Sequence, residues 1–223
     1  MKKNRIINIA IDGPAGAGKS TIAKMVSKEL GFIYVDTGAL YRAAALYITE
    51  NGVADEDIAE ELEKADITLR FVDGVQCVYV GDRDVSGLIR TPEISMAASR
   101  TSAIPAVRAY LFETQKKIAR ENSVIMDGRD IGTVVLPDAD VKIFLTASAE
   151  ERANRRYREL LEKPDCPTYE EILSDIIKRD YQDMHRETSP LKQAEDAILV
   201  DTTELNLEES AQAIVDIIRE KTA

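Results

Sequence analysis

The sequence predicts a doubly wound α/β fold: a five-stranded parallel sheet with helices on both faces and a small antiparallel β insert. Three observations carry this. Five short apolar runs alternate with helical stretches along the chain. A glycine-rich segment, Gly13-Pro14-Ala15-Gly16-Ala17-Gly18-Lys19-Ser20, stands between the first run and the first helix. Residues 66–90 change character, to strand, turn and strand.

Residues 5–11 are apolar and β-branched, as a buried parallel strand requires. Residues 19–30 form a helix with Ile22, Met25, Val26 and Leu30 on its apolar stripe, and Gly31 ends it. Phe32–Val35 is the second strand. A helix follows from Ala39 to Glu50, with Leu40, Ala43, Ala44 and Tyr47 on one face. Residues 55–65 suit a short acidic helix. Ile67–Val72 and Gln76–Val80 pair through a turn at Asp73-Gly74-Val75, and Arg83-Asp84-Val85 adds a third short strand. Residues 92–121 are helical in two pieces divided by Pro105. Ser123–Met126, ending in Asp127, then Val141–Leu145 and Ala197–Val200 are the remaining strands. Ser148 with Glu151, Thr168 with Glu171 and Asn206 with Glu209 are capping-box pairs. Leu207, Ala211, Ile214 and Ile218 make the core face of the last helix.

The 223 residues are expected to form a single domain with a sizeable core. The net charge of −11, from 29 basic and 40 acidic residues, argues against a large nucleic-acid or anionic-membrane footprint. It leaves room for a small anionic ligand, because local arginines decide that. Cys77, Cys166 and the single His185 have no metal-ligand spacing, and free thiols in a reducing compartment are expected. With no membrane span or signal peptide in view, a soluble, cytoplasmic protein is expected, and its size and surface suit a monomer.

Gly13–Ser20 matches the P-loop pattern G-x-x-x-x-G-K-[ST] at every fixed position. Its glycines let backbone N–H groups wrap a triphosphate, and the following helix adds its positive end. Lys19 reaches the β- and γ-phosphates of a nucleotide, and Ser20 takes a place on Mg²⁺.

A P-loop alone does not separate kinase from GTPase or ATPase. No Asn-Lys pair exists for a guanine-reading motif, and Asp84-Val85-Ser86-Gly87 lies inside the insert. Asp36 follows the second strand, where sheets of this kind bind ligands; it holds a Mg²⁺-bound water or caps the next helix. Arg42 is placed to meet a phosphate. Asp127-Gly128-Arg129-Asp130 ends an apolar strand and resembles a Walker B element, or is a charged turn. Ile172, Ile176, Arg179, Asp183 and Arg186 share one helical stripe that turns from apolar to charged, as it opens either into a polar cavity or into solvent. Arg152, Arg155, Arg156 and Arg158 form either an anion site or a solvated face. A kinase for UMP or a hydroxylated metabolite and a nucleotide switch without transfer activity are the rival readings.

Several motifs, in order, resemble the bacterial cytidylate (CMP) kinase family over nearly the whole chain. They are Ile11-Asp12-Gly13-Pro14 with Gly16–Lys19, Asp36-Thr37-Gly38-Ala39-Leu40-Tyr41-Arg42, Asp84-Val85-Ser86 with Ile89-Arg90-Thr91, and Pro105-Ala106-Val107-Arg108. Asp127-Gly128-Arg129-Asp130-Ile131-Gly132-Thr133 and Arg179-Asp180 with Asp183 and Arg186 complete the set. The resemblance implies ATP-dependent phosphorylation of CMP and dCMP with Mg²⁺. It also implies an NMP-binding insert region at 66–104 and a lid at 150–166. By that resemblance Gly13, Pro14, Ala15, Gly16, Ala17, Gly18, Lys19, Ser20 and Thr21, with Arg155 and Arg156, bind ATP. Ser99, Arg108 and Asp130 read cytosine, Arg179 and Asp183 meet the ribose, and Arg42, Arg129 and Arg186 hold the acceptor phosphate. Thr37 and Tyr41 line the same site; Thr37 stands where serine also occurs in the family, and the hydroxyl is kept. Lys19, Arg129, Arg179 and Asp36 carry the transfer, with Ser20 and Asp36 on the metal.

Overall fold

The computed structural model describes residues 5–72, 75–162 and 166–223. The chain divides into two compact units, one running through Tyr34 and resuming at Asn122–Ala223, the other Val35–Glu121.

The first unit is built on β1 (Asn8–Asp12), which leads into α1 (Lys19–Leu30) and then the start of β2 (Ile33–Asp36), whose last two residues, Val35 and Asp36, open the second unit. After the second unit come β6 (Val124–Gly128), β7 (Val141–Thr146), α6 (Ala149–Leu160), α7 (Tyr169–His185), β8 (Ile198–Asp201) and α8 (Leu207–Thr222). The sheet order is β2-β6-β1-β7-β8. β1 pairs in parallel with β6, Ile9 opposite Ile125, and with β7, Ile11 opposite Ile143; β8 adds in parallel to β7. The chain leaves β1 toward one edge first and toward the other edge later. The order therefore reverses at β1, and a doubly wound sheet opens its ligand crevice at such a point, beyond the carboxyl ends of the strands. Ile9 and Ile11 pack with Ile22 and Val26 of α1 and Ile214, Val215 and Ile218 of α8. Burial of side chains of this size contributes roughly 1.5–3 kcal/mol each, which makes this layer a firm base for the loops above it.

The second unit contains α2 (Thr37–Asn51), α3 (Ile58–Ala65), the antiparallel strands β3 (Ile67–Val72), β4 (Val75–Val80) and β5 (Arg83–Asp84), then α4 (Pro92–Thr101) and α5 (Pro105–Glu121). Register places Ile67 opposite Val80 and Leu69 opposite Val78. Leu40 and Ala44 of α2, Ile58 and Leu62 of α3, Ile67, Val78, Val107 and Leu111 form its core. Asp73 and Gly74 of the expected turn lie outside the described residues.

Several local expectations differ from the structure. α2 starts at Thr37 rather than Ala39, because the Asp36 carboxylate caps it by accepting from the Ala39 N–H at 2.9 Å. Ser148 caps α6, but Glu151 turns to Arg155 at 3.0 Å rather than back to the cap. The boxes at Thr168–Glu171 and Asn206–Glu209 close in both directions. α7 ends at His185, so Arg186 is not helical; its backbone is extended. Residues Ile131–Val135 form a single π-helical turn that no periodicity signalled. Among the described residues, no helix is long and apolar enough to cross a membrane.

Candidate active site

In the first unit the P-loop follows the carboxyl end of β1. A Cβ on Gly13 would stand 1.9 Å from the Leu145 carbonyl oxygen, and its φ of 149° suits glycine alone. α1 then begins at Lys19 without a side-chain cap, so its first N–H groups are available to an anion. Lys19 is buried and donates from Nζ to the Pro14 carbonyl at 2.7 Å. Burial and the neighbouring Arg129 pull its pKa well below the ordinary lysine value, with Asp127, Asp12 and Asp183 pulling the other way.

Ser20 donates its hydroxyl hydrogen to Asp127 Oδ2 at 2.7 Å, and the Tyr34 hydroxyl donates to Asp127 Oδ1 at 2.9 Å. Two hard oxygen ligands thus meet beside the phosphate loop, a donor set that fits Mg²⁺. Asp12 accepts from the Ile131 N–H at 2.8 Å and the Gly132 N–H at 2.7 Å, which holds the start of the π turn next to Asp130. Burial raises the Asp12 pKa to about 6 against these two bonds.

Four of the expected acceptor residues gather in this unit. Arg129 Nε donates to Asp183 at 2.8 Å, and Arg186 Nη2 stands 3.8 Å from Asp130. Arg186 Nε also donates to the Ser189 carbonyl at 2.7 Å, which orients a residue that has left the helix. Arg179 lies on the exposed surface of α7, and Thr21 is exposed on α1. The four arginines of α6 separate. Arg152 is buried, Arg155 donates to Thr202 O at 2.6 Å, and Arg156 is exposed and paired with Glu159.

In the second unit both oxygens of Asp36 have partners, Ala39 N and Arg42 Nη2, the latter at 3.0 Å. The Asp36 N–H donates to Gln76 Oε1 at 2.8 Å, which ties α2 to β4. Thr37 is buried and Tyr41 half-buried; the Arg108 guanidinium lies 5.6 Å from the Tyr41 ring centroid. Arg108 is itself buried and donates to Ser102 O at 3.4 Å, while Ser99 is half-buried on α4.

The expected set omitted Tyr34, Asp12 and Gln76, and it named Asp127 only as the end of a Walker B-like strand without assigning it beside Ser20. Asp127 carried a signal, the acidic end of an apolar strand. Tyr34 and Gln76 carried none, since their partners stand 93 and 40 positions away.

A parallel sheet whose first strand feeds a lysine–serine phosphate loop, with an acidic strand end against that serine, is the frame of a P-loop nucleotide-binding protein. A family model described as cytidylate kinase matches residues 9–220. The chain belongs to the cytidylate kinase family. A cytidylate kinase from Carboxydothermus hydrogenoformans is 54% identical over 218 residues, covering 96% of this chain and 98% of the relative. One from Caldicellulosiruptor bescii is 51% identical over 220 residues, covering 97% and 96%. Among solved structures, an uncharacterized protein from Eubacterium ventriosum superposes with a TM-score of 0.54 at 14% identity, covering 96% of this chain and 98% of that one; the likeness is one of fold.

Proposed function

We propose that the protein transfers the γ-phosphoryl group of ATP to CMP and dCMP, with Mg²⁺, giving the diphosphates and ADP. Family membership over nearly the full length supports a kinase that takes ATP as donor and CMP as acceptor. The observation that carries the mechanism is the Lys19, Ser20 and Asp127 cluster at the P-loop.

Gly13–Gly18 would wrap the donor phosphates, with Thr21, Arg155 and Arg156 completing the ATP contacts. Ser20 and Asp127 would hold Mg²⁺, and Asp36 would reach it through water. When bound, the ion supplies charge neutralisation between the β- and γ-phosphates. Lys19 adds its own positive charge to the same oxygens.

On the acceptor, Asp130 would accept from the cytosine N4 amino group, and Arg108 would donate to N3 and O2. Ser99 assists at the base. Uracil presents a carbonyl and an N3–H there, which leaves both residues mispaired, and such mispairing in a strongly built site separates substrates by up to about 10⁴-fold. Arg42, Arg129 and Arg186 would hold the phosphate, Arg179 and Asp183 the ribose, and Thr37 and Tyr41 line the site. No strong base is required. The second pKa of a phosphate monoester is about 6, so the acceptor is mostly dianionic at neutral pH and is itself the nucleophile. The protein's task is to hold two anions in line and stabilise the moving phosphoryl group. We further propose that it works as a cytoplasmic monomer without a nucleic-acid partner; the free thiols of Cys77 and Cys166 suit a reducing compartment.

The test is ADP formation with ATP and Mg²⁺ against CMP, dCMP, UMP, AMP or no acceptor. Strong turnover with CMP and dCMP and little with UMP is expected. Acceptor-independent hydrolysis, or preference for a non-cytidine acceptor, overturns the assignment.

A further inference from the structure

Arg152 differs from every other arginine on α6. Its side chain is 5% exposed, against 53% for Arg156. Its guanidinium makes four hydrogen bonds: Nε to Ala147 O at 2.9 Å, Nη1 to Ala15 O at 2.9 Å, and Nη1 and Nη2 to the two oxygens of Asp180 at 3.1 and 2.6 Å. One side chain therefore touches the end of β7, the P-loop and α7. Its stem also lies against the loop, since a Cβ on Gly16 would meet Arg152 Cβ at 3.4 Å.

The placement matters for the phosphate cradle. A P-loop turns its N–H groups toward the anion, so its carbonyl groups need partners elsewhere. Arg152 supplies one at Ala15. The other end of the same guanidinium grips Asp180, which follows Arg179 in sequence and lies one helical turn before Asp183. A buried bidentate pair of this kind is geometrically specific. It seldom adds stability over apolar side chains of similar volume, and its best-attested use is to set register.

We infer that Arg152 and Asp180 are a positioning pair for phosphoryl transfer, holding the P-loop at Ala15 in register with the stretch of α7 that carries Arg179 and Asp183. The inference rests on the proposed roles of Arg179 and Asp183 for its acceptor side and on the P-loop alone for its donor side. Both are assigned as positioning residues, acting through the P-loop and α7 that they join. The arginine run on α6 thus divides by function: Arg152 faces inward as a brace, and Arg156 faces solvent.

The experiment uses two variants of the full chain. Asp180→Asn leaves the Arg152 charge without a carboxylate. Arg152→Met/Asp180→Leu replaces the pair with apolar side chains, which leaves no unpaired buried charge and removes only the hydrogen bonds to the Ala147 and Ala15 carbonyls. Each is measured for thermal unfolding, for ATP affinity without acceptor by calorimetry, and for kcat and both KM values with CMP. The expected result is a double variant that still folds, with its melting lowered by the two carbonyls that lose Arg152, and that binds ATP several-fold more weakly. Its kcat falls about 10- to 100-fold per folded molecule, as misplacement on the ångström scale produces. A folded double variant with the parent's kcat and ATP affinity overturns the inference, as does a loss confined to KM for CMP. If neither variant folds, the pair is a folding element and the positioning role is overturned. A parent enzyme that turns over no CMP overturns the proposed function instead, and the acceptor-free ATP affinity still decides the donor side of the pair.

Discussion

The hydroxyl of Ser20 donates to the Asp127 carboxylate at 2.7 Å, joining the end of the P-loop to the carboxyl end of β6 across 107 positions of sequence. The same carboxylate accepts from Tyr34. Ser20→Ala should lower kcat/KM for ATP about 100-fold, the scale of a lost transition-state contact. Tyr34→Phe removes only the second bond and should cost about 1 kcal/mol of stability with a much smaller rate effect. Steady-state kinetics and denaturant unfolding of the two variants check the ranking. Full activity in Ser20→Ala would remove Ser20 from the proposed metal site.

Lys19 is a buried charge, and its pKa lies well below the ordinary lysine value because of burial and Arg129. A lysine depressed in this way costs stability at neutral pH, and the cost shrinks as pH rises toward the unfolded value. Lys19→Met should therefore melt at the same or a higher temperature than the parent at pH 7, while kcat falls about 10²- to 10³-fold. Calorimetry beside an activity assay separates the two effects. A variant that loses both stability and activity would show that Lys19 holds the fold together rather than waiting for a phosphate.

Asp12 titrates in the opposite sense. Its folded pKa of about 6 lies above the ordinary 3.8, with burial as the main cause. The stability linked to its proton is fully present below the unfolded value and is lost as pH rises through about 6. The difference amounts to on the order of 3 kcal/mol. The unfolding free energy of the parent relative to Asp12→Asn should accordingly fall between about pH 4 and pH 6 and stay level above that. Denaturant curves at several pH values give the answer, and a flat difference would mean that Asp12 is not strongly desolvated.

Asp130 is buried, with the Arg186 guanidinium 3.8 Å away. In the proposed assignment its carboxylate accepts from the cytosine amino group. Asp130→Asn supplies an amide that can also donate, to the carbonyl that uracil presents. The ratio of kcat/KM for CMP over UMP should fall by at least about tenfold. An unchanged ratio alongside a general loss of activity would assign Asp130 to orienting Arg186 instead.

Much of this protein was legible in one dimension. The strand alternation, the Pro105 break between α4 and α5, and the P-loop all depend on local chemistry: periodicity, fixed φ, and glycine where backbone must approach closely. The span Lys19–Leu30 follows from an apolar stripe that ends at a left-handed glycine. What tertiary structure decided were partners. Arg152, Arg155 and Arg156 look alike in sequence, and only packing buries the first and leaves the last in solvent. Arg186 continues the spacing of the α7 stripe, yet it stands outside the helix, held by Ser189. The π turn after Asp130 exists where the buried carboxylate of Asp12, about 120 positions earlier, collects two of its N–H groups. Periodicity reports which face of an element is apolar. It carries no information about which distant polar group will satisfy a buried donor, because that choice is made by the sheet order that brings β1, β6 and β7 side by side.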